Sequence, residues 1–150
     1  MRKILFVCHG NICRSPMAEF VMKDLVKKAG VEAHIASAAT SREEIGNPVH
    51  YGTRTKLLEY GISTAGKQAV QMTKADYDAY DDIIGMDGMN IRNILRIIGN
   101  DPEGKVKKLL AFAGESGDIA DPWYTGDFDA TYRDVLKGCQ GLLAEITQER

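Results

Sequence analysis

Val7-Cys8-His9-Gly10-Asn11-Ile12-Cys13-Arg14-Ser15-Pro16 joins two patterns that belong to different secondary structures. Before it, Ile4-Leu5-Phe6-Val7 is a short continuous apolar run of the kind a buried strand needs. After it, Ala18, Val21, Met22, Leu25 and Ala29 recur at helical spacing. The stretch is therefore a loop leading from the end of a strand into the start of a helix. Ser15 followed by Pro16 reads as a helix N-cap and a first-turn proline. A capping box is missing, because Ala18 stands where Glu or Gln would close it. Unpaired backbone N–H groups at such a junction converge on a bound anion.

The side chains of this loop add chemistry to that cradle. A cysteine is reactive only as a thiolate, and a helix N-terminus with a nearby cation lowers its pKa from about 8.5. Cys8 is thus the candidate nucleophile. Arg14, six positions on, has a planar fork that grips two oxygens of a phosphate and spreads charge as a lysine does not. Ser15 is placed to donate to the Cys8 sulfur. Gly10 and Asn11 suit a loop with left-handed backbone angles whose N–H groups turn inward.

Beyond the loop, apolar strand-like runs alternate with helical patterns. Residues 33–38 read as a second strand, 53–60 as a short helix ended by Gly61, and 82–86 as a third strand. Ile91, Ile94, Leu95 and Ile98, with Gly99 beyond them, mark a helix; residues 106–112 form a fourth strand. Tyr132, Val135, Leu136, Cys139, Leu143 and Ile146 trace the last helix. This alternation predicts an α/β fold: one domain over residues 1–150, a doubly wound four-stranded parallel sheet with helices on both faces, flavodoxin-like. In such folds ligands bind at the carboxyl ends of the strands, where the Cys8 loop begins.

With 150 residues, 44% of them hydrophobic and 27% charged, the chain can bury one core and gives no reason to divide it. A net charge of −2 without a basic run argues against nucleic acid as a partner. No apolar stretch is long enough for a signal h-region or a membrane span, so a cytoplasmic location is expected. Three cysteines suit a reducing compartment better than a disulfide framework. Cys139 lies on the apolar stripe of the last helix and reads as a buried structural thiol. His34 and His50 have no companions at ligand spacing. His9 with Cys8 and Cys13 matches no zinc pattern, and no metal or cofactor is expected. The stretch from Gly61 to Gln68 nearly spells a nucleotide-binding loop, but Gln68 stands where a Mg²⁺-binding Ser or Thr is required, and a helix rather than a strand precedes it.

Asp121-Pro122-Trp123-Tyr124 is the second informative segment. By itself an Asp-Pro pair reads as a turn, with Pro122 keeping Asp121 extended. Together with Cys8 and Arg14 it supplies a carboxylic acid for a leaving group, an effect of roughly a hundredfold to ten-thousandfold. At these residues the chain resembles the low-molecular-weight protein tyrosine phosphatases, whose phosphate loop is Cys-x5-Arg-Ser and whose acid loop lies near the C-terminus. The resemblance runs along nearly the whole chain.

It implies that Cys8 attacks phosphorus, that Arg14 binds the phosphoryl group, and that Asp121 first protonates the leaving phenolate and then activates water against the phosphocysteine. His9, Gly10, Asn11, Ile12, Cys13 and Ser15 then line the phosphate site. Trp123 and Tyr124 become an aromatic wall beside the substrate ring. Asn11, Ser15 and Ser37 become the network that holds the loop, and Asp87 and Asn90 pack beneath it while capping a helix. The resemblance also implies tyrosine-phosphorylated proteins as substrates, a tyrosine kinase as counterpart, affinity for phosphate-like oxyanions, and a monomer or weak dimer. Cys13 is either a redox partner that traps Cys8 in a disulfide or a loop thiol that packs.

Two departures stand out. Ser41-Arg42-Glu43-Glu44-Ile45-Gly46 puts Glu43 or Glu44 where many relatives carry an aromatic residue. Gly66-Lys67-Gln68-Ala69-Val70 lacks the histidine that completes the loop network, so another polar group must do so. Among activities of the same fold, thioredoxin-coupled arsenate reduction requires further cysteines mid-chain, and none lies between Cys13 and Cys139. A cysteine phosphocarrier has no use for Arg14 or Asp121. Phosphoarginine hydrolysis stands beside these two as a third alternative, and its enzymes among the relatives carry Thr where this chain has Ile12.

Overall fold

Strand β1 (Arg2–Cys8) lies at the centre of the molecule and ends on the candidate nucleophile. The structure is a computed structural model that describes residues 1–148. β1 pairs in parallel with β2 (Ala33–Ala39) on one side and β3 (Asp82–Gly85) on the other; β4 (Val106–Lys108) lies beyond β3, giving the order β2-β1-β3-β4. Chain direction away from β1 thus reverses between β2 and β3. The crevice this opens at the carboxyl end of β1 is where a doubly wound sheet binds ligands.

The apolar run of β1 serves both faces, because successive side chains alternate. Ile4, Phe6 and Cys8 join Ile35 and Ile84 in a core covered by α1 (Arg14–Ala29) and α6 (Phe128–Gln148). Leu5 and Val7 join Ala38 and Ile83 under α3 (Asp76–Ala79) and α4 (Gly88–Ile98). Phe6 is fully buried, so its truncation to Ala costs about 3–5 kcal/mol. The remaining helices are α2 (Tyr51–Leu58) and α5 (Pro122–Thr125), and a 3₁₀ turn spans Leu109–Ala113. No helix among the described residues is long and apolar enough to cross a membrane.

The structure corrects several local expectations. Ser15 is not the N-cap of α1: Cys13 holds that place without a side-chain bond, and Pro16 sits in the third helical position. The reason lies in the nucleophile, since the Ser15 N–H points at Cys8 Sγ (3.4 Å) and its hydroxyl is engaged there too (3.0 Å). α2 begins two residues early because the His50 ring accepts the Gly52 N–H (2.9 Å) and so caps it. β4 stops at Lys108, because burying both Leu109 and Leu110 requires a turn rather than alternation. β3 ends at Gly85, one residue short of the expected end. On α6 it is Leu142, not Leu143, that is fully buried. Of the two loop residues expected in left-handed conformation, Asn11 is (φ 59°) and Gly10 is not. The short helices α3 and α5 were not apparent in the sequence pattern.

Candidate active site

Cys8 Sγ sits at the floor of a pocket lined by the loop residues His9, Gly10, Ile12, Cys13 and Arg14. Its rim is formed by Glu43 and Glu44 on one side and by Asp121, Trp123 and Tyr124 on the other. The sulfur receives the Ser15 N–H and lies within hydrogen-bond reach of the Ser15 hydroxyl. A first-turn amide of α1 and a hydroxyl therefore both address the atom that must carry negative charge.

Arg14 is 2% exposed and fully engaged on one side. Its Nη1 donates to Asp87 Oδ2 (2.6 Å) and to the Ile119 carbonyl (2.9 Å), and its Nη2 reaches Asp121 Oδ2 (3.4 Å). Burial opposes the guanidinium charge, but Cys8, Asp87 and Asp121 together hold its pKa above the ordinary arginine value. The fork is therefore permanently charged and fixed in direction beside the nucleophile.

Asp87 does two tasks. Oδ1 accepts the Asn90 N–H (2.8 Å), and Asn90 Oδ1 accepts the N–H groups of Met86 (2.9 Å) and Asp87 (3.3 Å), closing a capping box at the start of α4. Oδ2 is left for Arg14. Asp121 is likewise a cap: its Oδ1 accepts the Trp123 N–H (3.0 Å) and starts α5, with Pro122 at the first helical position. The acid loop is anchored by Ile119, whose N–H binds the Met86 carbonyl at the end of β3 and whose carbonyl binds Arg14. Ile119 is fully buried, and two residues later Asp121 emerges at the pocket.

Asn11, the residue with positive φ, is held on three sides. The Val70 N–H donates to its Oδ1 (3.1 Å), while its Nδ2 donates to Ser15 Oγ (2.8 Å) and Ser37 Oγ (2.9 Å). Asn/Asp tolerate the left-handed region better than other side chains, and this network over-determines it here. On the rim, Glu43 lies 3.0 Å from His9 Nε2, and Glu44 accepts from Asn47. Cys13 is buried, and burial first, then the charge at Cys8, push its thiol up to about 12. Cys139, wholly buried, is pushed up by burial alone.

Cys8, His9, Gly10, Ile12, Cys13, Arg14, Glu43, Asp121, Trp123 and Tyr124 thus share one pocket, whereas Asn11 and Ser15, expected to line it, are buried in the hydrogen-bond network with Ser37, and Asp87 and Asn90 hold Arg14 and the start of α4. Sequence reading missed four contributors. Glu19 accepts from Ser37 Oγ (2.6 Å), and Lys67 donates to the Ser37 carbonyl (2.8 Å). Thr53 Oγ1 donates to the Cys13 carbonyl (3.0 Å). His50 gives its N–H to the Ile12 carbonyl (2.8 Å), and its ring lies edge-on to Trp123 (5.6 Å) and stacked on Phe128 (5.4 Å). Only the position of Glu19, one helical turn beyond Ser15, carried any signal.

A buried thiol and a buried guanidinium at a strand-to-helix junction, with a carboxylate on the opposite rim, define a cysteine-dependent phosphoryl-transfer protein. The chain belongs to the low molecular weight phosphotyrosine protein phosphatase family, whose model matches residues 3–150. It is 42% identical to the low molecular weight protein-tyrosine-phosphatase YfkJ of Bacillus subtilis, over 100% of this chain and 99% of that one. The crystal structure of YfkJ superposes with a TM-score of 0.93. The low molecular weight protein tyrosine phosphatase SP-PTP of Streptococcus pyogenes is 44% identical, with a TM-score of 0.87 over 97% of this chain and 93% of that one. A Drosophila arginine phosphatase also shares the fold, at 28% identity and a TM-score of 0.88 over 97% of each chain.

The protein is therefore a hydrolase of the tyrosine phosphatase type, acting on phosphorylated protein.

Proposed function

We propose that the chain hydrolyses phosphotyrosine in proteins by two displacements at Cys8. In the first, the Cys8 thiolate attacks phosphorus in line with the bridging oxygen. Arg14 and the loop N–H groups hold the equatorial oxygens, and Asp121 gives its proton to the departing phenolate. In the second, the Asp121 carboxylate takes a proton from water, the resulting hydroxide attacks the phosphocysteine, and inorganic phosphate leaves as the S–P bond breaks. The observation that carries this reading is the double engagement of Cys8 Sγ by the Ser15 amide and hydroxyl. A structural cysteine needs neither.

Specificity follows from the walls. Ile12, Trp123 and Tyr124 line the pocket with apolar surface, which suits a phenyl ring and leaves phosphoserine too short to reach Cys8. A guanidinium leaving group gains nothing from Ile12. Tyrosine-phosphorylated proteins are the partners, opposed by a tyrosine kinase, and the thiol chemistry suits a reducing, cytoplasmic setting. The chain works as a monomer or weak dimer without cofactor. Comparing kcat/KM for phosphotyrosine, phosphoserine and phosphoarginine peptides tests this; a higher value for phosphoarginine contradicts it.

A further inference from the structure

Lys67 lies in the segment that first resembled a nucleotide-binding loop, yet its side chain turns inward and is only 13% exposed. Its Nζ spans the Ser37 carbonyl (2.8 Å) and Glu19 Oε1 (3.5 Å). Glu19 is itself buried, at 4% exposed, and Lys23 covers its other oxygen (2.6 Å) from the solvent side. An ion pair between two groups this buried is not explained by surface solvation, and it sits directly behind the phosphate loop.

Hydrogen-bond direction can be followed from this pair to the nucleophile. The Val70 N–H fixes which end of the Asn11 amide is oxygen, so both Nδ2 hydrogens are spent on Ser15 Oγ and Ser37 Oγ. Ser37 has one hydrogen, and its oxygen already accepts from Asn11, so it donates to the Glu19 carboxylate. Ser15 also accepts from Asn11, and its one hydrogen is left for Cys8 Sγ at 3.0 Å. A carboxylate at Glu19 therefore fits a chain in which Ser15 donates to the sulfur, the polarity that stabilises a thiolate. Lys67 sets a positive charge against that carboxylate from the protein side, as Lys23 does from the solvent side. Burial pulls the ammonium of Lys67 below the lysine range, and Glu19 and Cys8 oppose that pull.

Resting on the reading of Cys8 as nucleophile, we infer that Lys67, acting through Glu19 and Ser37, is a positioning residue that sets the ionisation of the catalytic thiol. Arg14 and Cys13 interact with Cys8 directly, Asp121 and Asp87 act on Arg14, and His9 and Glu43 stand on the rim.

The test is the pH dependence of Cys8 alkylation by iodoacetamide, followed by peptide mass mapping, which reports the thiolate without any phosphorylated substrate. Lys67→Met removes charge and donor, Lys67→Gln keeps a donor without charge, and Lys67→Arg keeps both. The midpoint should rise by about one pH unit in the Met and Gln variants, making alkylation about tenfold slower below it, and stay near the wild-type value in the Arg variant. An unmoved midpoint in Met and Gln variants that retain the wild-type circular dichroism overturns the inference. So does an equal shift in all three variants, which would mark a role in shape alone. If Cys8→Ser still hydrolyses a phosphotyrosine peptide at the wild-type rate, it is the assignment of Cys8 that fails instead.

Discussion

Arg14 Nη1 lies 2.6 Å from Asp87 Oδ2, and the other oxygen of that carboxylate accepts the Asn90 N–H that starts α4. One side chain therefore ends a strand-to-helix turn and aims the phosphate clamp. Asp87→Asn keeps a cap oxygen but loses the charge, whereas Asp87→Ala loses both. The Ala variant should be destabilised by roughly 1 kcal/mol from the cap alone, measured by urea unfolding. Misaiming Arg14 should lower kcat in either variant, on the order of a hundredfold in the Ala form. An Ala variant with unchanged kcat would show that Arg14 aims itself.

Arg14→Lys preserves charge and loses the fork. Because the guanidinium is held in one plane by Asp87 and Ile119, a lysine cannot present two parallel donors to the phosphoryl oxygens. kcat/KM on a phosphotyrosine peptide should fall by at least about a hundredfold, as for loss of an oxyanion donor. Activity near wild type would assign Arg14 to packing.

Asp121→Asn keeps the cap on the Trp123 N–H, so α5 and the aromatic wall remain. The amide has no proton to give. Phosphotyrosine turnover should drop by roughly a hundredfold to ten-thousandfold, and an aryl phosphate with a strongly acidic phenol should lose much less in formation of the phosphocysteine. Equal losses in that step would remove Asp121 from proton transfer.

How far the sequence disclosed this site follows from distance along the chain. Cys8, Arg14 and Ser15 lie within eight consecutive residues from the end of β1 to the first turn of α1, so their spacing and the flanking apolar patterns were enough. Asp121 needed the resemblance, since Asp-Pro alone reads as a turn. Glu19 and Lys67 are 48 positions apart and meet only because β2 brings Ser37 between them; no local pattern encodes that. His50 looked solitary because its partners, Ile12, Trp123 and Phe128, are scattered over the chain. The fourth strand was read too long because Val106, Leu109, Leu110 and Phe112 fit no single period, and burial of two neighbouring leucines bent the chain into a 3₁₀ turn.

Cys13 offers a test of electrostatics without catalysis. Its thiol ionises near 9 when unfolded but is pushed up to about 12 in the fold, chiefly by burial. A raised acid pKa means that the fold gains full benefit below about pH 9 and loses it as pH rises towards 12. Stability of the wild type should therefore fall over that window more steeply than in Cys13→Ala, measured by urea midpoints. At neutral pH Cys13 should also resist alkylation while Cys8 reacts. Identical alkaline slopes would contradict the assignment.

Ile12 lies in the loop beside Cys13 and lines the pocket with Trp123 and Tyr124. Ile12→Thr replaces apolar surface by a hydroxyl that can orient water towards the phosphocysteine. The ratio of kcat/KM for phosphoarginine over phosphotyrosine should rise by about tenfold or more, within what one pocket contact supplies. A ratio unchanged by the substitution would move the origin of specificity to the rim residues Glu43 and Glu44.

Passage of phosphate through Cys8 is decided by rapid quench, in denaturant, of the Asp121→Asn variant reacting with a phosphotyrosine peptide. Peptide mass mapping should find the phosphoryl group on the Cys8 peptide, formed as fast as tyrosine peptide is released and absent in Cys8→Ser. Phosphate on another residue, or release of product by Cys8→Ser at a wild-type rate, would contradict the account.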